Sequence, residues 1–484
     1  MQGHLILSFL SIFATMARRS KRKVFENLEV IDAGAKGKAI AKAPDGRVVF
    51  INNAVPGDIV TVQTYKKRKS YYEAKATHIS KPSPKRVVPE CRHFGVCGGC
   101  KWQDMGYEHQ LYFKHKEVVN NLERLGNISL PEVTPILGSK EIYFYRNKME
   151  FSFSNNKWIT QEQIDSQVPI DDRNALGFHI PGMWDKILDI EKCHLQRDPS
   201  NAIRNFIKTF ATNNDLDFFD PRKQEGLLRT LMIRTATTGE LMVLLQFFRE
   251  EESQRILLLE AIREQFPQIT SLLYVINTKG NDTIYDQEIH CYAGNDHIME
   301  QMEGLQFKIT AKSFYQTNSE QAYELYKIVR EYAALEGTER VYDLYTGTGT
   351  IAQFIASEAK EVIGVEAVPD AITAANENAN RNNIENTKFV VGDMKQVFND
   401  DFVKQYGSPD VVITDPPRDG MHADVVRQLL HLAPKRIVYV SCNSATQARD
   451  LALMDAQYKV TRVQPVDMFP QTHHVENVVL LEKR

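Results

Sequence analysis

Two residues of this chain have the type and setting of reactive groups. Cys442 follows the run Arg436 to Ser441 in Tyr439-Val440-Ser441-Cys442-Asn443-Ser444, where a strand would leave a parallel sheet and a helix would begin. A thiol at a helix N-terminus can have its pKa lowered and serve as a nucleophile, although a lone cysteine is more often an inert buried one. Glu476, in His473-His474-Val475-Glu476-Asn477, opens the last β run and would be a proton acceptor if that run returns to the same edge. Asp415 stands in Thr414-Asp415-Pro416-Pro417-Arg418. Its two prolines make a rigid turn and delay any helix, which directs the carboxylate over the sheet edge, where it can orient a polar planar base.

Three further strand ends carry ligand-type residues. Asp343-Leu344-Tyr345-Thr346-Gly347-Thr348-Gly349-Thr350 is a glycine turn between an apolar run and a helix. It lacks the third glycine of a dinucleotide fingerprint, so a cofactor without a pyrophosphate fits it better. Glu366, in Gly364-Val365-Glu366, stands about twenty residues on, where an acid accepts from ribose hydroxyls. Asp393 follows Gly392 and could meet a base edge, or simply cap the next helix. Together the three strand ends describe a site for S-adenosylmethionine.

The six cysteines are Cys91, Cys97, Cys100, Cys193, Cys291 and Cys442. Three crowd into Cys91-Arg92-His93-Phe94-Gly95-Val96-Cys97-Gly98-Gly99-Cys100. In a large intracellular chain such crowding reads as metal ligation before disulfide bonding, and on spacing alone zinc suits it nearly as well as iron.

The elements that must position these groups fall into segments. From 24 to 80, short β runs (Leu28 to Ile31, Val48 to Ile51, Asp58 to Thr64, Tyr71 to Ile79) broken by Gly and Pro predict a barrel of about five strands. Lys66-Lys67-Arg68-Lys69 lies beside Tyr71 and Tyr72, a pattern that suits RNA; a solvated hairpin tip with the tyrosines packed inside explains it equally well. The segment 81 to 307 is mixed, with helical spacing from Tyr107 to Leu125 and strands over Tyr143 to Ser152, Thr230 to Thr235, Leu241 to Phe248 and Ser271 to Asn277. From 308 to 484, strands and helices alternate, which predicts an α/β doubly wound parallel sheet closed by an antiparallel pair, Lys459 to Val466 and Val475 to Leu481.

Composition sets the outer bounds. The 484 residues are 43% hydrophobic and 25% charged, an ordinary globular balance that excludes collagen, coiled coil and wholesale disorder. The net charge of −3 hides an asymmetry: Arg18 to Arg86 carries 17 Lys and Arg against 6 Asp and Glu. A basic front end thus precedes an acidic remainder. No run of about 18 apolar residues is present to span a membrane. The apolar stretch Leu5 to Ala17 has its charges after it rather than before it, unlike a signal peptide. Residues 1–23 therefore read as an extension, with Met16 as the initiator of a cytoplasmic protein.

The residues quoted, with Phe314-Tyr315-Gln316-Thr317-Asn318, resemble the RNA 5-methyluridine methyltransferases, in particular the iron-sulfur branch that acts on 23S ribosomal RNA and carries an N-terminal TRAM barrel. The resemblance runs from about residue 24 to 484. It implies an OB-like TRAM domain over 24–80, an iron-sulfur and central α+β domain over 81–307, and a class I, Rossmann-like methyltransferase domain over 308–484. It further implies that Cys442 is the nucleophile and Glu476 the general base, with Gln316, Tyr345, Gly347, Glu366, Asp393 and Asp415 around S-adenosylmethionine. Cys91, Cys97, Cys100 and the distant Cys193 become ligands of a [4Fe-4S] cluster, and Cys291 is left as a buried thiol. The implied reaction methylates carbon 5 of a uridine in 23S rRNA through a cysteine adduct at carbon 6, with RNA as partner and a monomer expected. The same reaction on tRNA, or an inactive RNA-binding iron-sulfur protein, are the alternatives. Thr346 stands where the family commonly has Cys, and Ser444 where Pro usually follows; both leave the reactive groups intact.

Overall fold

The computed structural model describes residues 22–484, so the start-site expectation lies outside the described residues. The chain forms two units, one built on the segment up to Ala33 with Lys38–Pro84, the other on Gly34–Gly37 with Lys85–Arg484.

In the first unit, six strands rather than five are formed: β1 (Val24–Glu29), β2 (Asp32–Gly34), β3 (Lys38–Lys42), β4 (Val48–Asn52), β5 (Ile59–Lys67) and β6 (Tyr71–Lys81). They lie in the order β1-β5-β6-β4-β3-β2. Beyond β1 the Val30 N–H donates to the Asp58 carbonyl and the Ile31 N–H to the Ile40 carbonyl, so the chain there bridges both edges of the sheet. Alternation decides which tyrosines are free. Tyr72 is fully buried among Val49, Val62 and Ala74 and donates to Asp45 at 2.8 Å. It cannot stack on a base, whereas Tyr65 on β5, half exposed, can.

The second unit opens with the helix Tyr107–Asn120 and its final turn Asn121–Leu125. A seven-stranded sheet follows, built from β7 (Lys148–Ser154), β8 (Ala175–Ile180), β9 (Met183–Asp189), β10 (Leu228–Thr235), β11 (Leu241–Phe247), β12 (Ser271–Ile276) and β13 (His290–Gly294), in the order β13-β12-β11-β10-β7-β8-β9. Cys291 lies on the edge strand β13 and is exposed, which corrects the expectation of a buried thiol: an edge strand has one free flank and here only one covered face. The hairpin β14 (His297–Met302) and β15 (Leu305–Thr310) leads on to the last sheet.

That sheet holds β16 (Arg340–Leu344), β17 (Glu361–Glu366), β18 (Thr387–Val391), β19 (Val411–Thr414), β20 (Arg436–Ser441), β21 (Tyr458–Val466) and β22 (Glu476–Lys483). Its order is β18-β17-β16-β19-β20-β22-β21. The first five strands run parallel, and β22 inserts antiparallel between β20 and β21. Helices cover the sheet, so the central strands are buried on both faces and read as unbroken apolar runs such as Val411-Val412-Ile413. The strand order reverses between β16 and β19, the switch point at which such sheets bind ligands beyond the strands' carboxyl ends. Among the described residues no helix is long and apolar enough to cross a membrane.

Candidate active site

The strand-end positions Tyr345, Gly347, Glu366, Asp393 and Asp415 all lie at or just past carboxyl ends of that sheet's strands, with Gln316 on the segment before it. After β16 the chain turns through Tyr345 (φ 64°) and Gly347 (φ 57°). A bulky side chain at positive φ is a strained conformation that has to be held in place by its surroundings. The surroundings are explicit: the Thr346 N–H donates to the Val365 carbonyl at 3.0 Å, and Thr346 Oγ1 donates to Asp343 at 2.5 Å. A Cβ on Gly347 would meet nothing within 4 Å, so space above this turn is open, whereas one on Gly349 would strike the Phe389 ring at 2.7 Å.

Glu366, at the end of β17, is fixed by backbone donors. Its Oε2 accepts from Gly347 N–H at 3.2 Å, and its Oε1 accepts from Ala367 and Val368 at 2.8 and 3.1 Å. The carboxylate is thereby tied to the glycine turn across the strand pair. Asp393 caps the short helix Met394–Val397 by accepting from Lys395 N–H at 2.9 Å, so one of its oxygens is spent on capping. Burial pushes the Tyr345 hydroxyl up to about 12, with the charges of Asp450, Asp393 and Glu366 adding to the rise.

Gln316 is placed from outside the domain. Asn147 donates to the Gln316 carbonyl and to Ser319 Oγ, both at 2.8 Å, and its own N–H donates to the Thr317 carbonyl. The buried Arg234 of β10 donates to the carbonyls of Thr310 and Ser313 just upstream, both at 2.9 Å. No sequence signal joins residues so far apart, and both were missed as positioning groups.

Cys442, Glu476 and Asp415 converge. Ser441 on β20 pairs with Asn477 on β22. Cys442 follows directly where the chain leaves β20, and Glu476 is the first residue of β22, so the two come close enough for the Glu476 charge to be felt at the thiol. Asp415, one residue past β19, supplies the third group. Burial pushes Glu476 up to about 8 with help from Asp415, and pushes Asp415 up to about 7 with help from Asp343. The Cys442 thiol is driven up to about 11 by burial first and then by the charges of Glu476 and Asp415. This reverses the sequence expectation of a thiol lowered by the helix that follows: two neighbouring carboxyl groups and desolvation decide the direction. Arg418 opposes the rise at both Cys442 and Glu476, a role the sequence reading did not assign to it.

The loop bearing Glu476 is anchored to the helix Tyr107–Asn120. Lys114, fully buried, pairs with Asp467 at 2.6 Å and donates to the Phe469 carbonyl at 3.1 Å. Tyr107 donates to the second oxygen of Asp467 at 3.0 Å. Gln110 exchanges bonds with Gln471, accepting from its N–H at 2.9 Å and donating to its side chain at 3.0 Å. Such pairs fix geometry more surely than they add stability.

The four cysteines Cys91, Cys97, Cys100 and Cys193 line one cavity of about 1140 Å³. Each raises the others' pKa or has it raised by them, on top of a larger rise from burial. The Gly99 N–H donates to Cys97 Sγ at 3.5 Å, and nearby backbone N–H groups at Cys91 and Cys193 and the Gln103 side chain at Cys100 partly offset the rise there. Donors aimed at sulfur suit thiolates bound to iron. Among the described residues no group of three His, Cys, Asp or Glu side chains could hold a metal ion.

Comparison with known proteins completes the description. Residues 227–484 match the family model for tRNA (Uracil-5-)-methyltransferase. A protein of Bacteroides thetaiotaomicron described as an uncharacterized RNA methyltransferase is 57% identical, covering 93% of this chain and 100% of its own. A Chlorobaculum tepidum protein of the same description is 38% identical over 94% of this chain and 96% of its own. Among solved structures, the Pyrococcus abyssi tRNA (uracil-54, C5)-methyltransferase in complex with S-adenosyl-L-homocysteine superposes with a TM-score of 0.72 at 27% identity, covering 95% of this chain and 100% of that one. The class I methyltransferase sheet, the strand-end residues and these relatives agree: the chain belongs to the tRNA (uracil-5-)-methyltransferase family and is an S-adenosylmethionine-dependent RNA (uracil-C5)-methyltransferase.

Proposed function

We propose that this enzyme methylates carbon 5 of a uridine through a covalent adduct on Cys442, and that the target lies in 23S rRNA. The observation that carries the chemistry is the meeting of Cys442, just past β20, with Glu476 at the start of β22 and with Asp415, whose carboxyl groups both act on the thiol. Uracil carbon 5 is a weak nucleophile, so electron density must first enter the ring. The Cys442 thiolate adds to carbon 6, forming the S–C6 bond and an enolate through carbon 5. Carbon 5 then takes the methyl group, the sulfonium S–CH₃ bond breaks, and S-adenosylhomocysteine is left. Glu476 removes the carbon 5 proton, the C5=C6 bond re-forms and the cysteine departs as thiolate. Gln316, Tyr345, Gly347, Glu366 and Asp393 hold the methyl donor and Asp415 orients the base, an alignment that supplies up to about 7–11 kcal/mol in favourable cases.

The four cysteines are assigned to a [4Fe-4S] cluster, supported by their shared cavity and the Gly99 N–H on Cys97 Sγ; the sulfurs would draw together on it, since as they stand they form no metal-holding group. When bound, it would tie the segment from Cys91 to Cys100 to Cys193. Iron and acid-labile sulfide retained in wild type and lost in Cys97→Ser is the expected result; zinc in their place would contradict it.

The basic sheet of residues 24–80 is proposed as a TRAM-type grip on flanking RNA, with Tyr65 rather than Tyr72 as its stacking ring. The corresponding expectation is a monomer working in the cytoplasm. A tRNA target is the second reading, favoured by the Pyrococcus abyssi enzyme. That enzyme aligns with 95% of this chain, so the N-terminal unit and cysteine segment do not by themselves separate ribosomal from transfer RNA substrates. Mapping 5-methyluridine in a deletion strain decides between them. Loss of one or more ribosomal positions with tRNA unchanged is expected, and loss confined to tRNA would overturn the ribosomal assignment.

A further inference from the structure

The cavity that receives the cysteine thiols extends well beyond them. Its wall continues along the β8–β9 hairpin and reaches Thr317 and Thr472, the sequence neighbours of Gln316 and His473. At the hairpin tip Gly182 makes the turn with φ 81°, and Met183 and Trp184 are 42% and 64% exposed. A large aromatic left open at a cavity wall is the informative kind of surface apolar group.

The charge of the wall says what could lie there. It carries Lys101, Arg146, Lys148 and Lys192 against one acid, Glu150, which Lys148 already engages at 2.6 Å. An open indole among surplus cations is complementary to a chain that alternates flat bases with phosphates. Turning a uridine out of its stack also strips its neighbours of a stacking partner. Building on the reading that the substrate is RNA, we propose that this cavity holds a base near the target uridine, stacked on Trp184, with the adjoining phosphates on Lys101, Arg146 and Lys192.

The test uses the full-length holoenzyme and a short single-stranded RNA of mixed sequence, without methyl donor. The chain has three tryptophans, and both Trp102 and Trp158 are less exposed than Trp184. RNA should therefore quench the wild-type tryptophan fluorescence. Trp184→Ala should weaken RNA binding about tenfold, within the range expected for one lost base stack, with affinity for S-adenosylhomocysteine unchanged. Trp184→Phe should keep RNA affinity close to wild type yet lose the quenching. Unchanged RNA affinity in Trp184→Ala, or quenching that persists in Trp184→Phe, would overturn the proposal. Because these readouts need no chemistry, they are independent of the cysteine adduct: a missing adduct would sink the mechanism alone, and a normal adduct with silent Trp184 variants would sink this inference alone.

Discussion

Glu476→Gln should convert the enzyme into a trap for its own product. With the proton acceptor gone, Cys442 can still add to carbon 6 and the methyl group can still transfer, because neither step uses Glu476. What stops is removal of the carbon 5 proton, and with it departure of the cysteine. Turnover should fall by about 10²–10⁴-fold, the usual worth of a positioned base. Methylated RNA should meanwhile remain attached to protein on a denaturing gel. Gln nearly matches Glu476 in size and shape, so at this buried position the substitution removes the proton acceptor without opening a cavity. Slow release of free methylated RNA with no attached species would reassign Glu476 to an earlier step.

Cys442→Ala should lose at least about 10⁴ in turnover, since no other group can load the ring, while binding of S-adenosylhomocysteine is retained. The pH behaviour of the thiol follows from its surroundings. An anion beside a thiol disfavours the thiolate, and Asp415 and Glu476 both raise Cys442. Asp415→Asn removes one of those charges, so the midpoint for alkylation of Cys442 by iodoacetamide, followed by peptide mass spectrometry, should move to lower pH by on the order of one unit. It should stay above the ordinary thiol value, because burial is the larger cause. A midpoint that does not move would place Asp415 too far away to share the site.

The parallel strands, though not their order in the sheet, were legible because each has a short apolar run ending in a chemically distinctive residue, and Asp343, Glu366, Asp393, Asp415 and Cys442 mark the strand ends. The terminal hairpin was legible from two β runs with no helix between them, and it is the feature that brings Glu476 to Cys442. Other properties depend on contacts between distant segments. Lys114 and Asp467 are 353 residues apart, and Asn147 and Gln316 are 169 apart. Neither pair leaves a local pattern. The pKa of Cys442 was misjudged for a related reason: the helix beginning at Ser444 is visible in the chain, whereas the two carboxyl groups facing the sulfur become neighbours only on folding. Tyr72 and Cys291 show the same limit at single residues, since strand alternation and edge position decided their exposure.

The most direct test of the account replaces the target uridine with 5-fluorouridine and incubates this RNA with wild-type enzyme and S-adenosylmethionine. Fluorine at carbon 5 cannot be removed as a proton, so the account predicts a stable protein–RNA complex, mapped by mass spectrometry to Cys442 and carrying the transferred methyl group. A wild-type enzyme that methylates uridine yet forms no such complex, or a complex mapped to a residue other than Cys442, would contradict it.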